Sequence, residues 1–398
     1  MMTANGEHMV ALNRALELID GMRSRFYGIL STEEVAVDCS SGRLLAADAI
    51  SKATSPPYDV CTMDGYAIRS ADHYPVVVVG KNYAGSERAV INRGETVYVT
   101  TGAQLPKGAD AVMRVEDARL DNELLSGPEL KPWTNVLRMG ADFAAGDVLL
   151  AAGTLVTPAM IGALQAAYTN SVRVFRQISV AVLSTGDEII KGHIRDTNSP
   201  VVCAMLRSWG CQAVHMGIIP DDPDATRSAI GSAAADFDMV ITIGGVSAGT
   251  KDYVKLVTDE GEVVFRSVKV KPGTPFTASY YRGRPVFSLP GKPAGCFVGM
   301  EIFVRRFIHG MTMNMAISLP VCCNMDFNIK GFDYLVFAEL KAGQAYPMGY
   351  RGSSLGLLPG PDYVVSQISA SARSLLAQGY FLARDDLKAG QIVHVVLI

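Results

Sequence analysis

Between residues 8 and 30 apolar side chains recur at helical spacing (Val10, Leu12, Leu16, Leu18, Ile19, Met22), which predicts an amphipathic first helix. From Val35 the texture changes. Residues 52–137 carry short β-like runs split by Gly, Pro and Asn, such as Tyr74–Gly80, Glu95–Thr101, Ala111–Val115 and Leu120–Leu125, and predict an all-β insertion. Residues 138–176 are mixed, with a helix expected after Thr157-Pro158, a cap followed by proline at the first helical position. The segment from 177 to 310 holds five apolar, largely β-branched runs: Val180–Leu183, Ala213–Ile219, Met239–Ile243, Val263–Val270 and Val286–Leu289. Helical stretches lie between the first four, and another is expected over Ala294–Ile308. That alternation predicts an open, mostly parallel sheet covered on both faces. Beyond a connection containing Met311, Met313 and Met315, residues 318–398 again read as all-β, with Tyr334–Leu340, Tyr363–Ile368 and Ile392–Ile398 as candidate strands.

Ligands on such sheets bind outside the carboxyl ends of the strands. The first run is followed by Ser184-Thr185-Gly186-Asp187-Glu188 and the second by Asp221-Asp222. The third empties into Gly244-Gly245-Val246-Ser247, with Lys251 and Asp252 just beyond, the fourth into Lys271-Pro272-Gly273, and the fifth into Pro290-Gly291-Lys292. Glycines let the backbone approach a ligand and turn its N–H groups toward an anion. Carboxylates are hard oxygen ligands for a metal, and lysines add positive charge. The rim therefore reads as an anion- and metal-handling cleft. A nucleotide P-loop is excluded, because Gly244 and Gly249 are followed by Thr250-Lys251 in the reverse of the required order.

Composition narrows the setting. With 398 residues the chain exceeds one ordinary core, and two to four domains are expected. Its formal net charge of -3 gives no basic footprint for nucleic acid. No stretch resembles a secretory signal or a membrane span, so a cytoplasmic location is expected. The seven cysteines are odd in number and lack paired zinc-site spacing, which reads as free thiols in a reducing compartment. Any metal here is expected to be a hard cation held by carboxylates.

Several segments, in order, resemble the molybdopterin molybdenumtransferase family, which includes bacterial MoeA and the C-terminal domain of gephyrin. They are Thr62-Met63-Asp64-Gly65-Tyr66-Ala67-Ile68-Arg69, Thr100-Thr101-Gly102-Ala103, Pro106 to Val112, Leu183 to Glu188, Asp196-Thr197-Asn198, Gly244 to Ser247 with Asp252-Tyr253, and Lys271-Pro272-Gly273. The resemblance implies α/β plus all-β parts in an elongated multidomain subunit. Its divisions are a split α-rich hinge (1–51 and 138–176), the β insertion (52–137), an α/β molybdopterin-binding part (177–317) and a C-terminal β-barrel (318–398). It implies insertion of molybdate into adenylylated molybdopterin with release of AMP, Mg2+ as cofactor, a homodimer, and a molybdopterin adenylyltransferase as supplier of the pterin.

Carried over by motif, Glu188, Asp221 and Asp252 surround metal, molybdate and nucleotide, and Lys271 meets the phosphate. Ser184, Thr185, Gly186, Asp187, Gly244, Gly245, Ser247, Pro272, Gly273, Pro290, Gly291 and Lys292 wrap the pterin or phosphate. Asp59, Asp64 and Thr101 close the cleft across the dimer, and Asp142 occupies a family acidic position. The chain departs from the family pattern at Thr274, where a second lysine is usual, and at Lys292, where asparagine is usual. The two changes compensate if both loops line one pocket. Gly331-Phe332-Asp333-Tyr334 lacks the family's functional arginine, which leaves Arg351 and Arg373 as candidates, with Ser374 near a family serine. These departures keep two alternatives in view, a non-catalytic molybdopterin-binding scaffold and a paralogue that inserts tungstate.

Overall fold

A computed structural model describes residues 9–246, 252–310, 316–356, 358 and 360–398. Its contacts separate two units, Met1–Ser31 with Arg176–Ile398, and Thr32–Phe175. In the first unit helix α1 (Leu12–Tyr27) precedes β1 (Ser179–Thr185), α2 (Asn198–Ser208), β2 (Gln212–Ile219), α3 (Pro223–Asp236), β3 (Met239–Ile243) and α4 (Tyr253–Asp259). The chain continues through β4 (Glu262–Arg266), β5 (Thr277–Tyr281), β6 (Arg284–Leu289) and a helical run from Pro293 to His309, here α5.

The six strands are ordered β2-β1-β3-β6-β5-β4. The first four are parallel, whereas β5 and β4 run antiparallel to their neighbours. Every residue of β3 is buried, as a central strand covered on both faces requires. On one face Leu183, Val240 and Val286 pack with Ile230 and Ala233 of α3 and Val254 and Val257 of α4. On the other, Phe276 and Phe303 stack at 4.5 Å and Phe287 meets Phe307 at 5.0 Å. Phe26 of α1 closes that cluster, 5.1 Å from Phe307. Each ring so buried contributes about 1.5–3 kcal/mol relative to exposure.

Two expectations change here. The fourth apolar run ends as a strand at Arg266, because Ser267 takes φ 61° and redirects the chain. Val270–Lys271 then leaves this sheet and pairs in parallel with Asp333–Tyr334. The place beside β3 is filled by β6, while β5, whose Thr-Ala-Ser-Tyr-Tyr sequence carries no β-branched run, supplies an unforeseen strand. By its contacts the segment before Thr32 goes with Arg176–Ile398. Helix α1 buries Ile19, Met22 and Phe26, and its Asp20 accepts from Arg306 Nε at 2.8 Å.

In the C-terminal part, strands Ala316–Pro320, Ile392–Leu397, Gly379–Ala383, Asp333–Lys341 and Gln344–Pro347 pair in that order. A bridge from Val321 to Ala345 then leads back to the first strand. The expected strand Tyr363–Ile368 is instead a helix, Val365–Ala370.

The Thr32–Phe175 unit holds a second six-stranded sheet. Its order is Ala111–Arg114, Gly65–Ile68, Glu95–Val99, Val76–Asn82, Leu124–Ser126 and Arg119–Asp121. The run Leu120–Leu125 is two short strands, because Asn122 (φ 54°) turns the chain between them. Helix Pro158–Ala166 starts where its proline predicts. All seven cysteines are unpaired. Among the described residues no helix is long and apolar enough to cross a membrane.

Candidate functional site

A cavity of about 950 Å3 opens at the carboxyl ends of β1, β3 and β6. Ser184, Thr185, Gly186 and Glu188 reach it from β1, Asp221 from β2, and Gly244, Gly245 and Asp252 from β3. Lys271, Pro272, Gly273 and Thr274 line it from the loop after Val270, and Pro290, Gly291 and Lys292 from the end of β6. Ser247 and Lys251 lie outside the described residues. Asp187 does not line the cavity. Its carboxylate accepts from the Asp221 backbone N–H at 3.1 Å and faces Lys191, tying two strand ends together.

Backbone geometry explains two of the glycines. Gly244 has φ +89°, and a Cβ there would stand 2.7 Å from Thr185 Oγ1. Gly186 has φ +138°, and its Cβ would stand 2.6 Å from the Glu188 carboxylate. L side chains rarely adopt such conformations.

Two aspartates on this rim differ in kind. Asp196 accepts from Asn198 N (3.1 Å), Ser199 N (3.0 Å) and Ser184 Oγ (3.1 Å). Burial alone would raise its pKa, but these donors outweigh burial and hold it below the usual value. The Ser184 hydroxyl, committed to Asp196 and Ser199, is thus part of the wall rather than a free donor. Asp252 caps α4 by accepting from Lys255 N at 3.2 Å, and its other oxygen, Oδ2, is buried without a partner among the described residues. Burial lifts this carboxyl to about 6, against the pull of Lys255 and Arg266. N-capping of the α3 helix falls to Asp222, which accepts from Ala225 N at 2.8 Å and leaves Asp221 facing the cavity.

The unpartnered Asp252 oxygen is a hard donor that suits Mg2+, and Glu188 and Asp221 line the same cavity. Among the described residues, however, no three acidic, histidine or cysteine side chains converge closely enough to enclose a metal. The expected trio is therefore gathered without forming a cage. Mg2+ is commonly held by one or two carboxylates plus substrate phosphates and water, which this arrangement permits. On the same cavity, the Lys271 ammonium sits 4.7 Å from the centre of the Phe332 ring, and burial lowers its pKa.

The C-terminal segment contributes residues that sequence motifs did not single out. Helix Val365–Ala370 presents Ser366 and Ser369 to the cavity. Neither Arg351 nor Arg373 lines it, and buried Ser374 donates to the Ile368 carbonyl at 2.9 Å. Arg195, Asp196 and Asn198 also line the cavity, with Asn198 Nδ2 donating to Gly291 O at 2.7 Å. The Asp196-Thr197-Asn198 motif was the available signal for these.

In the other unit, Asp64 Oδ1 accepts from Thr101 N (2.7 Å) and Thr101 Oγ1 (2.9 Å), and these bonds lower its pKa. Asp59 Oδ1 accepts from Met139 N at 2.9 Å, and Asp142 Oδ2 from Ser55 Oγ at 3.2 Å. Asp64 and Thr101 thus meet directly, while Asp59 and Asp142 each serve a neighbouring loop.

Residues 10–167 match the model of the MoeA N-terminal region (domain I and II), and residues 181–310 match a probable molybdopterin binding domain. A molybdopterin molybdenumtransferase of Haemophilus influenzae is 34% identical, covering 81% of this chain and 86% of that protein. The chain belongs to the molybdopterin molybdenumtransferase family. A second relative of that name, from Staphylococcus epidermidis, is 29% identical over 91% of this chain and 90% of its own. A molybdopterin biosynthesis MoeA protein of Pyrococcus horikoshii matches with a TM-score of 0.76 at 23% identity, covering 98% of this chain and 100% of that one, which shows a shared multidomain fold. Against the molybdopterin molybdenumtransferase pattern, the two departures at Thr274 and Lys292 lie on one cavity wall system, since both residues line the same space.

Proposed function

We propose that the chain is a molybdopterin molybdenumtransferase that inserts molybdate into adenylylated molybdopterin, releases AMP and yields molybdenum cofactor, with Mg2+ as its cofactor. The observation that carries this reading is the mixed charge of the cavity, lined by Glu188, Asp221 and Asp252 together with Lys271 and Lys292 and a glycine-rich rim. A wall of carboxylates alone would repel an anionic pterin phosphate and an oxyanion. Asp252, with Glu188 or Asp221, would hold Mg2+, which would supply charge neutralisation at the phosphate. Lys271 and the backbone N–H of Gly245 stabilise charge gathering on the departing phosphate, which this chemistry needs more than a strong base, while the Gly244 N–H is held by the Leu289 carbonyl at 2.9 Å.

The reading includes a cytoplasmic homodimer in which Asp59, Asp64 and Thr101 of each chain serve the cavity of the other, with Asp142 as a further acidic position. It keeps the fourfold division into hinge, β insertion, α/β part and C-terminal barrel. The bridge from Val321 to Ala345 supports the barrel by linking its last strand back toward its first. A molybdopterin adenylyltransferase would supply the substrate. The scaffold alternative draws on Thr274, which donates to the Val270 carbonyl at 2.7 Å and brings no cation.

The test is AMP release from adenylylated molybdopterin in Mg2+, with and without molybdate or tungstate. Molybdate-dependent release that disappears in Asp252→Ala is expected. Release driven by tungstate alone would mark the tungstate paralogue, and tight pterin binding without release under either oxyanion would leave the scaffold.

A further inference from the structure

In the Thr32–Phe175 unit, three tyrosines gather where three chain segments meet. Tyr66 and Tyr98 are cross-strand partners, their rings 5.6 Å apart and inclined at 77°. Tyr83 follows the end of the neighbouring strand and is 48% exposed. Its turn is tied to the same edge, because Ala84 N donates to Thr100 Oγ1 at 3.1 Å. Asp64, the residue before the Tyr66 strand, is exposed at this edge and fixed by Thr101. The Tyr98 pKa is raised first by burial and then by Asp64, Tyr66 and Tyr83, each of which therefore lies within electrostatic reach of Tyr98. None of the three phenol oxygens has a hydrogen-bond partner among the described residues.

We infer that Tyr66, Tyr83 and Tyr98, with Asp64, form a notch for the adenosine end of the nucleotide-bearing substrate. Inclined aromatic walls offer a face and an edge to a planar base. The negative ring faces and the Asp64 carboxylate disfavour phosphate, pyrophosphate or molybdate and favour the neutral nucleoside end. A pterin ring presents adjacent N–H donors that suit both oxygens of a carboxylate. Oδ1 of Asp64 already accepts two bonds from Thr101, which leaves one oxygen for a single donor group such as the adenine amino group or a ribose hydroxyl. The inference rests on the reading of the substrate as adenylylated.

Isothermal titration of the full-length protein with AMP, with ribose 5-phosphate and with a free pterin tests it. Tyr98→Ala should weaken AMP binding about ten-fold, the scale of one lost base–aromatic stack. Tyr98→Phe should keep affinity near native, and ribose 5-phosphate should bind Tyr98→Ala and native protein alike. Tyr83→Ala, at an exposed turn, gives a second variant if Tyr98→Ala misfolds. Unchanged AMP affinity in the folded alanine variants, or a loss confined to the pterin, overturns the inference. Pterin turnover with AMP affinity indifferent to Tyr98 and Tyr83 removes the notch and keeps the functional reading. Tyrosine-dependent AMP binding without turnover does the reverse.

Discussion

Lys292→Ala isolates the charge balance of the cavity. Thr274 faces the same space, but its hydroxyl is turned back onto the Val270 carbonyl, so its loop presents Lys271 alone as a cation. Lys292, exposed at the start of α5, supplies a second one. A hydrogen bond to a charged group contributes about 1.5–3 kcal/mol. Solvent around Lys292 places it at the lower end of that range, so its loss should weaken molybdate binding about ten-fold. Lys271 is less exposed and its ammonium is already disfavoured by burial, so a bound anion gains more from it, and Lys271→Ala should cost nearer a hundred-fold. Adding Thr274→Lys to Lys292→Ala should recover most of the loss, since both positions line one cavity. Calorimetric titration of molybdate at low and high salt gives the measurement, with the Lys292 contribution shrinking as ionic strength rises. Affinity within two-fold of native in Lys292→Ala at low salt, or no recovery on adding Thr274→Lys, would refute the compensation.

The remaining predictions concern the elements that hold the cavity. Gly244→Ala imposes a left-handed conformation and a contact with Thr185, and should destabilise the protein by about 1–2 kcal/mol in urea denaturation, only part of which Thr185→Ala relieves. Asp222→Ala removes the α3 cap and should cost about 1 kcal/mol while AMP release persists, whereas Asp221→Ala should leave the denaturation midpoint unchanged and depress release. At the opposite end of the sheet, burial would raise the Asp238 pKa, yet Arg176 and the N–H and O–H of Ser179 hold it at about 2. Because the folded pKa lies below the unfolded one, the stabilisation, about 2 kcal/mol, is full above pH ~4 and fades as pH falls toward ~2. Asp238→Asn should therefore be less stable than native protein at pH 7, with the gap closing across that window; a gap that persists at the acid end would contradict the assignment.

Most of the rim was legible because residue type and position reinforce each other there. Met239–Ile243 is a continuous apolar run that ends in two glycines, and burial of all five residues follows from that pattern. Where the run was not the strand, local geometry decided. Val263–Val270 looks continuous, yet Ser267 breaks it and sends Lys271 to the cavity along a loop paired with the C-terminal part. Tyr363–Ile368 has strand-like composition but begins a helix that packs against the start of α5, a contact between residues some seventy positions apart that no local pattern encodes. Ser366 and Ser369 were unreadable as site residues for that reason, since helix packing alone brings them to the cavity.

Three buried or half-buried aspartates show how this fold separates support from chemistry. Asp238 is satisfied on every side by Arg176 and Ser179, and its pKa falls. Asp196 is satisfied by Ser184, Asn198 and Ser199, and its pKa also falls. Asp252 alone among them keeps a buried oxygen without a partner among the described residues, and its pKa rises to about 6. An unmade hydrogen bond on a buried carboxylate costs folding free energy, about 1–3 kcal/mol for an ordinary polar group and more for a charged one. The same short loop region carries positive φ at Gly244 and Gly245, and a disfavoured ammonium at Lys271 lines the same cavity. Local rules of satisfaction and backbone comfort are thus relaxed together at one rim and obeyed at Asp238, on the other end of the same strands. Such concentrated departures are expected where a site is shaped for a ligand rather than for stability. The ordering of these aspartates follows: Asp238→Asn should lose stability and keep turnover, while Asp252→Asn, which retains the cap and removes the unpaired charge, should lose turnover and gain stability.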